Sequence, residues 1–447
     1  MVHTFSGLGM SIALDVESGA LHLLDEIGLS VLSIVEEPMP PECSSDIVAA
    51  LSARFKPCDI EETWAELYAL TESGQLFSKC PSYPPDDTGS FKALCLHVAH
   101  DCDLRCAYCF AKTGSYGGER GVMSFETARS AVDMLVDKSG DRRNLEIDFF
   151  GGEPLLAWDT VTRTVDYVRE REEDWGKRFR FTLTTNGLAL TDERIEYLNR
   201  EMDNVVLSLD GRSDIHDAVR RTAAGKGSYD AVLPRLLRVA ASRERDYFVR
   251  GTFTSRNPDF VDDLLHLADL GFSHLSMEPV VLPDGHPLAL RPEDVDTACR
   301  AYDRLLAIMA KRDDFSFFHF SVDLDFGPCV YKRLRGCGAG FAYCAVSPEG
   351  NIYPCHQFVG MEDYLLGHVS VGVTNKALSE RMHALTVNTK PDCSVCWAKY
   401  HCSGGCAATS VSLGNSLDAV HAPGCQMQKK RLECGMLLQA ARMSRFD

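Results

Sequence analysis

Short apolar runs alternate with longer amphipathic segments between residues 90 and 310. Six runs rich in β-branched and aromatic residues are typical of buried strands; they are ALCLHV, LEIDFF, FRFTLTT, NVVLSLD, YFVRGTFT and HLSMEPV. The stretches between them, such as SFETARSAVDMLVDKS and NPDFVDDLLHLADLG, have the spacing of amphipathic helices. Because strands that alternate with helices pair in parallel, the pattern predicts an α/β fold.

The first 80 residues follow a different pattern. SIALDV and ALHLL flank a short turn and predict a β-hairpin. Three short helices are predicted after it, beginning at Asp25, at Ser44 or Ser45, and at Asp59, the last of them ending at Gly74. A hairpin with three helices is the outline of a winged-helix module.

The charge of this leading segment argues against DNA, the usual partner of such a module. Its only Lys and Arg residues are Arg54, Lys56 and Lys79, too few to neutralise several phosphates. An edge strand beside a helix can instead accept an added peptide strand. A purely structural cap is the other alternative.

The chain is predicted to have three domains. SKCPSYPPDDTGS, with three prolines and a glycine, is predicted to be a linker. The domains are expected at 1–80, at 90–310 and, as a cysteine-rich domain, at 320–447.

Composition places the chain among ordinary soluble proteins. Of its 447 residues, 45% are apolar and 25% charged. The net charge of −18 disfavours nucleic acid and anionic membranes as partners. No apolar run approaches the ~20 residues of a membrane-spanning helix, and the N-terminus lacks a secretory signal. We therefore expect a cytoplasmic protein.

Eighteen cysteines are unusual in that reducing compartment. They are either buried thiols or metal ligands, since the compartment disfavours disulfides. Their spacing favours metal, because dense groups stand beside a long gap between Cys109 and Cys299. Isolated cysteines are expected to be mostly buried thiols: Cys43, Cys58, Cys80, Cys95, Cys299 and Cys434.

Cys102, Cys106 and Cys109 follow the first strand of the central domain at C-x3-C-x2-C spacing. Three thiolates on one loop can bind three corners of an iron–sulfur cube and leave one iron open, although zinc loops can imitate this spacing. Motifs with polar or glycine residues follow the next strands: GGEP at 151–154, TTNG at 184–187 and SLDG at 208–211 with an HD pair and an arginine after it.

This ordered set resembles the radical S-adenosylmethionine (SAM) enzymes. The resemblance implies a partial (β/α)6 barrel and a four-iron, four-sulfur cluster whose open iron binds SAM. It implies that Gly151, Gly152 and Glu153 hold the SAM amino group and that Ser208 and Arg220 hold its carboxylate, with Arg221 as an alternative to Arg220. It further implies Asn186 and Asp210 at the ribose and Tyr108 near the adenine.

The C-terminal cysteines resemble the seven-cysteine SPASM pattern of peptide-modifying radical SAM enzymes. The resemblance implies two auxiliary four-iron clusters, with Cys337, Cys355 and Cys406 at the first and Cys393, Cys396, Cys402 and Cys425 at the second. Cys329 and Cys344 are candidates for a fourth ligand of the first cluster. Alternatively, one iron there stays open for a substrate thiolate. Two zinc sites are the remaining alternative.

Two stretches, LDVESGALHLLDE and KRLRGCGAGFAYCAVSPEGNIYPCHQFVG, resemble the maturases of SCIFF peptides (six cysteines in forty-five residues). That resemblance implies thioether crosslinks from a cysteine sulfur to a carbon of another residue in a cysteine-rich precursor peptide. It also implies a leader bound to a PqqD-like recognition element at 1–80 and an external electron donor, a reductase or a flavodoxin or ferredoxin. The alternatives are a sulfatase- or quinone-cofactor-maturing enzyme, a non-catalytic electron carrier and a zinc-bound transcription factor.

Overall fold

The computed structural model describes residues 1–35, 37–80, 90–322, 324 and 330–444. The leading segment is a three-stranded antiparallel sheet followed by three helices. These elements are β1 (Val2–Gly7), β2 (Met10–Asp15), β3 (Leu21–Leu24), α1 (Glu26–Leu32), α2 (Ser45–Leu51) and α3 (Pro57–Glu72). The predicted hairpin is present as β2 and β3, and β1 is an additional strand.

Two of the predicted helix starts in this segment are confirmed by their caps. The Asp25 carboxylate accepts from the Gly28 amide at 2.7 Å, and the Ser44 hydroxyl accepts from the Ile47 amide at 3.3 Å. The predicted start of the third helix at Asp59 is wrong by two residues, because Pro57 occupies its first turn. The winged-helix assignment stays a prediction.

A single sheet of eleven strands forms the centre of the molecule, and it is mostly parallel, as the alternating pattern predicts. Its order is β10-β9-β8-β7-β6-β5-β4-β11-β12-β13-β14. The parallel strands are β4 (Ala93–Ala99), β5 (Asn144–Gly151), β6 (Arg178–Thr185), β7 (Asn204–Ser208), β8 (Asp246–Phe253), β9 (His274–Pro279), β10 (Ser316–Phe317) and β11 (Tyr343–Val346).

Helices connect strands β4 to β10. They are α4 (Phe125–Lys138), α5 (Trp158–Arg169), α6 (Asp192–Glu201), α7 (Ser213–Val219), α8 (Tyr229–Ser242), α9 (Val261–Asp269) and α10 (Pro292–Met309). Strands β4 to β9 lie side by side in the sheet in the same order as in the chain. Because they are parallel, their carboxyl ends lie at the same edge of the sheet. Apolar side chains from strands and helices form one large core, in which Phe149 and Phe181 stack at 5.9 Å.

The cysteine-rich region continues the central sheet. Strand β11 pairs in parallel with β4, and β12 (Asn351–Tyr353), β13 (Gly367–His368) and β14 (Gly372–Val373) follow it in antiparallel order. The helices of this region are α11 (Val330–Arg335), α12 (Lys376–Ala384), α13 (Pro391–Ser394), α14 (Lys399–Cys402), α15 (Ala407–Gly414) and α16 (Ala422–Met443). Helix α16 packs along α10 and reaches β1.

Most of the predicted linker, residues 81–89, lies outside the described residues, and the division into three domains stays a prediction. In the part of the chain that the structure describes, no helix combines the length and the apolar character needed to cross a membrane.

Candidate functional site

The cysteine triplet lies on the loop that follows β4. Cys102, Cys106 and Cys109 all line one cavity. The loop is tied to the segment after α7, because the amide of Arg105 donates to the Arg221 carbonyl at 2.6 Å and the amide of Ala107 to the Val219 carbonyl at 2.8 Å. The cysteine loop therefore lies against the backbone on both sides of Arg220, the arginine that the sequence analysis places in the same site.

Burial changes the acidity of these thiols. It raises the pKa of Cys106 to about 11 and also raises the pKa of Cys102, where the Glu153 carboxylate adds to the effect. Neutral thiols are therefore favoured until a cation arrives, and iron would ionise them on binding. A triplet of sulfur donors at the wall of a cavity fits three ligands of a four-iron cluster.

The two glycines of the GGEP motif let the end of β5 press against the cysteine loop. A Cβ on Gly151 would lie 2.3 Å from the Ala99 carbonyl oxygen, and one on Gly152 would lie 2.1 Å from that of Asp101. Neither backbone atom can move aside, so the close approach requires glycine. Both residues line the cavity, as predicted for a ligand site.

Glu153 connects the ends of two strands. One carboxylate oxygen accepts from the Leu155 amide at 3.1 Å and the Thr185 hydroxyl at 2.8 Å, and the other accepts from the Asn186 amide at 2.8 Å. Burial raises the pKa of Glu153 to about 7. Its side chain thus fixes the TTNG turn, and its role toward a SAM amino group stays a prediction.

Asn186 lies beside the cysteine loop. Its amide nitrogen donates to Asp103 at 2.7 Å and lies 3.7 Å from the Cys102 sulfur. Its carbonyl oxygen accepts from the Leu188 amide at 2.8 Å. Asn186 lines the cavity, but these bonds already orient both ends of its side-chain amide.

Tyr108, Asp210 and Arg220 form a buried network. One Asp210 oxygen accepts from the Tyr108 hydroxyl at 2.6 Å and from the Arg220 guanidinium at 2.8 Å, and the other accepts from the Thr252 amide at 3.0 Å. Tyr108, Arg220 and Ser208 line the cavity, whereas Asp210 is fully buried and does not line it. Asp210 therefore positions Tyr108 and Arg220 in this structure.

The HD pair and Arg221 hold the surrounding backbone. The His216 ring contacts the Ser228 hydroxyl at 2.9 Å, and the Asp217 carboxylate accepts from the amides of Ser228 and Tyr229. Arg221 is exposed and donates to the Asp217 carbonyl at 3.0 Å. Arg220 and not Arg221 faces the cavity.

The seven C-terminal cysteines meet in the two predicted groups. Burial raises the pKa of Cys355 to about 12, and Cys406 and Cys337 raise it further because they lie nearby. Burial likewise raises the pKa of Cys402 to about 11, with further contributions from its three predicted partners, Cys425, Cys393 and Cys396. We call these the first and the second auxiliary group. Six of their members line the cavity that contains Cys102; the seventh, Cys355, is buried in its wall.

Both auxiliary groups offer only sulfur donors, which suit zinc as well as iron–sulfur clusters. Across the described ranges, no three or more His, Cys, Asp or Glu side chains are arranged to hold a metal ion. The preference for iron–sulfur clusters over zinc therefore rests on the resemblance to SPASM enzymes.

Cys344 points away from both groups. It lies on β11 opposite Leu94, is fully buried and shares the large core with Val346. Its neighbour Ala345 faces the other side, where Cys355 lies. Cys344 is therefore a core thiol in this structure, and the other candidate ligand, Cys329, lies outside the described residues.

A charged cluster at the end of β9 was missed by the sequence reasoning. Glu278 contacts Arg250 at 3.3 Å, His319 at 3.4 Å and Arg431 at 3.5 Å, and all four line the cavity. Burial alone would raise the pKa of Glu278, but His319, Arg431 and Arg250 lower it to about 2. The position of Glu278 at the carboxyl end of the predicted strand HLSMEPV could have indicated a site residue. Arg431 carried no such signal, because it lies on helix α16, far away in the chain.

The cavity that joins these features has a volume of about 2590 Å³. Small-molecule sites commonly measure about 300–1,000 Å³, so this cavity has room for a cofactor and part of a larger substrate. Phe110 and Phe318 line it and are each about half exposed, at 47% and 52%. The cavity thus joins the triplet, the strand-end side chains and both auxiliary groups.

Comparison with known proteins agrees with this arrangement. Residues 96–245 match the Radical SAM superfamily. The cysteine-type anaerobic sulfatase-maturating enzyme of Clostridium novyi is 24% identical over 339 residues, covering 71% of this chain and 88% of that protein. The mycofactocin maturase MftC of Mycolicibacterium smegmatis is 26% identical over 343 residues, covering 73% and 81%.

Solved structures show the same fold. The protein anSMEcpe, with bound AdoMet and the Kp18Cys peptide, has a TM-score of 0.65 at 21% identity, covering 79% of this chain and 99% of that one. Streptococcus suis SuiB, bound to precursor peptide SuiA, has a TM-score of 0.54 at 14% identity, covering 94% and 97%. Residues 96–245 thus match the radical SAM model, and the chain is similar to several maturases, whereas the SCIFF subgroup rests on the sequence alone.

Proposed function

We propose that this protein is a radical SAM maturase that forms thioether bonds, from a cysteine sulfur to a carbon, in a cysteine-rich precursor peptide. The observation that carries the proposal is the single cavity shared by Cys102, Cys106, Cys109 and both auxiliary groups. A peptide segment in that cavity would lie beside the cysteine triplet and the auxiliary cysteines at the same time.

The strand ends supply the SAM site in this proposal. Cys102, Cys106 and Cys109 would hold the SAM-binding cluster, and the auxiliary groups would hold two more. When bound, the clusters supply electron transfer, and SAM supplies a 5′-deoxyadenosyl radical that abstracts hydrogen from carbon. Arg220, fixed by Asp210, presents a cation toward the cavity that suits the SAM carboxylate.

The substrate cysteine would be held at the first auxiliary group. Cys337 and Cys406 line the cavity there, and an arriving thiol loses its proton on binding iron. In the proposed carbon–sulfur bond formation, the 5′-deoxyadenosyl radical would take one hydrogen atom from the acceptor carbon, and the thiol would release one proton to solvent. The remaining electron would leave the peptide through the auxiliary clusters to the external electron carrier. Phe110 and Phe318 would offer the bound peptide apolar walls in this cavity.

The leader of the peptide would bind at the N-terminal sheet. Strand β3 is an edge strand, paired only with β2, and Leu23 on it is 60% exposed. Such an edge accepts an additional strand. Leu23→Ser is expected to weaken binding of a labelled leader peptide in a fluorescence anisotropy titration, whereas Leu156→Ser, on an exposed leucine of the central domain, leaves it unchanged.

The decisive experiment is anaerobic incubation with SAM, reductant and a cysteine-rich precursor peptide, followed by mass spectrometry. Thioether formation removes two hydrogen atoms per crosslink, and fragmentation locates the linked residues. Cys102→Ala serves as the inactive control. Release of 5′-deoxyadenosine without any change in the peptide, across a panel of precursor peptides, would argue against the proposed product.

A second candidate function is protein maturation of the sulfatase type. It is favoured by the likeness to the Clostridium novyi enzyme and to anSMEcpe. Incubation with a sulfatase-derived cysteine peptide distinguishes the two, because that reaction replaces the cysteine thiol by an aldehyde oxygen and needs no leader.

A further inference from the structure

The LDVESG turn after β2 carries two buried carboxylates that the proposed reaction does not use. Asp15 is fully buried and accepts from the amide and hydroxyl of Ser18 at 3.1 and 2.6 Å and from the amide of Ser78 at 3.3 Å. The bonds from Ser18 close the turn, and the bond from Ser78 ties it to the segment after α3. Glu17, two residues on, instead reaches out of the N-terminal sheet.

Glu17 contacts the segment of the second auxiliary group. One oxygen accepts from the Lys399 ammonium at 2.7 Å, and the other accepts from the Tyr400 hydroxyl at 2.9 Å. The Glu17 and Lys399 side chains are only 9% and 6% exposed. Burial alone would raise the pKa of Glu17, but Lys399 and Tyr400 lower it, so the carboxylate stays ionised.

Two further contacts join the same segment to the N-terminal sheet. Val16 packs in a small apolar cluster with Cys393 and Tyr400. The ring of His3, on β1, stacks on that of Trp397 with centroids 3.9 Å apart and planes 7° apart. Contacts from the N-terminal sheet therefore reach residues at 393, 397, 399 and 400.

This segment has little structure of its own to hold it. Helices α13 and α14 have four residues each, far below the length at which a helix is stable alone. Yet Cys393, Cys396 and Cys402 must present their sulfurs in a fixed arrangement to bind one cluster. The segment needs support from outside, and the N-terminal sheet contacts it directly.

We propose that Glu17 is a positioning residue for the second auxiliary group: through Lys399 and Tyr400 it fixes the segment 393–402, so that the N-terminal sheet is part of the support of a metal site. The inference rests on the proposed function for the identity of the metal. The arrangement of the cysteines themselves can be tested without it.

The first test measures cysteine accessibility in cluster-free protein. In Glu17→Gln, we expect iodoacetamide to label Cys393, Cys396 and Cys402 roughly tenfold faster than in the wild type, because the segment opens locally. Labelling of Cys102, Cys106 and Cys109 stays unchanged. The matched control is Glu26→Gln, the same substitution at an 85% exposed glutamate of the same region. Unchanged labelling of the 393–402 cysteines would overturn the proposal.

The second test reads the reconstituted protein. Glu17→Gln is expected to contain about eight iron atoms per chain rather than the about twelve of three four-iron clusters, and to lack one auxiliary signal in the electron paramagnetic resonance spectrum. SAM cleavage without peptide is retained. Full iron content with unshifted auxiliary signals would contradict the inference.

Tyr400→Phe is a second variant, which keeps the proposal testable if Glu17→Gln does not fold. It removes the hydrogen bond to Glu17 and the contact of the hydroxyl with the Cys80 sulfur at 3.6 Å, and it keeps the ion pair between Glu17 and Lys399. We expect an intermediate labelling rate. If the wild-type protein binds only one cluster, the proposed function fails, while the labelling comparison still decides whether Glu17 positions the segment.

Discussion

Asp210 holds Tyr108 and Arg220 together at the wall of the cavity. The resemblance placed all three residues at SAM, and the structure separates them into two that face the cavity and one that supports them. A carboxylate with three hydrogen-bond donors and no exposed surface is committed to the protein.

Asp210→Asn is expected to destabilise the protein by about 3–5 kcal/mol, because it leaves the Arg220 cation buried without a counter-charge. Urea unfolding measures the change. Asp214→Asn, an exposed position on α7, is the control and should alter the free energy of unfolding by less than about 0.5 kcal/mol. Equal effects of the two substitutions would refute the supporting role of Asp210.

Cys344 is a second residue whose role the structure clarifies. Cys344→Ala is expected to leave the iron content unchanged and to cost about 1–2 kcal/mol of stability through a small core cavity. Iron analysis and thermal unfolding check the two parts. Loss of four iron atoms in this variant would show that Cys344 is a ligand after all.

Sequence patterns identified the candidate ligands but not the side chains that support them. Cys102, Cys106 and Cys109 were identified by spacing, because ligand spacing on one loop is local in the chain. The contact of Glu153 with the Asn186 amide, like that of Glu278 with Arg431, joins different strands and helices. No periodicity in the chain encodes such a pairing.

At the scale of elements, the end of β5 and the cysteine loop act as one unit. A Cβ on Gly152 would lie 2.1 Å from the Asp101 carbonyl oxygen on one side and 3.0 Å from the Gly114 Cα on the other. This close packing sets where the cysteine loop begins.

Gly152→Ala is therefore expected to displace the loop and abolish binding of the SAM-binding cluster. The measurement is SAM cleavage together with iron content, which should fall by about four atoms per chain. Gly121→Ala is the matched control, since a Cβ there meets no atom within 4 Å. A fully loaded Gly152→Ala protein would show that the loop tolerates the shift.

Helix α16 is joined to the strand ends by the Glu278 cluster. The pKa of Glu278 is lowered to about 2 from an ordinary 4.5, so the ionised form stabilises the fold. That contribution, about 3 kcal/mol, is present above pH 4.5 and is lost as the pH falls through 2.

Glu278→Gln should thus be less stable than the wild type at pH 7 by about 3 kcal/mol, and the difference should shrink below pH 4.5. Denaturant unfolding at pH 7, 5, 4 and 3 measures it. Glu293→Gln, at a 66% exposed glutamate, is expected to show no such pH dependence. A difference that grows on acidification would contradict the assigned charge state.

At the scale of the whole molecule, the alternation of strands and helices predicted the parallel sheet correctly. It did not predict that β11 continues the sheet beside β4, because YCAV is short and stands outside the alternating pattern. The sheet therefore continues across the predicted boundary between the central and the cysteine-rich domains.

The pairing of β4 with β11 has a consequence for synthesis of the chain. Strand β4 is buried along its whole length, yet its partner is made about 250 residues later. Until then, the nascent protein exposes an apolar strand edge of the kind that pairs with other chains.

A chain ending at residue 320 should accordingly aggregate on expression, whereas adding residues 330–447 in trans should partly rescue its solubility. Light scattering and sedimentation of the two preparations test this. A soluble, monomeric truncated chain would show that β4 is protected by other means. Aggregation that residues 330–447 relieve would instead mean that the cysteine-rich region acts, beyond any metal it binds, as an intramolecular chaperone for the central sheet.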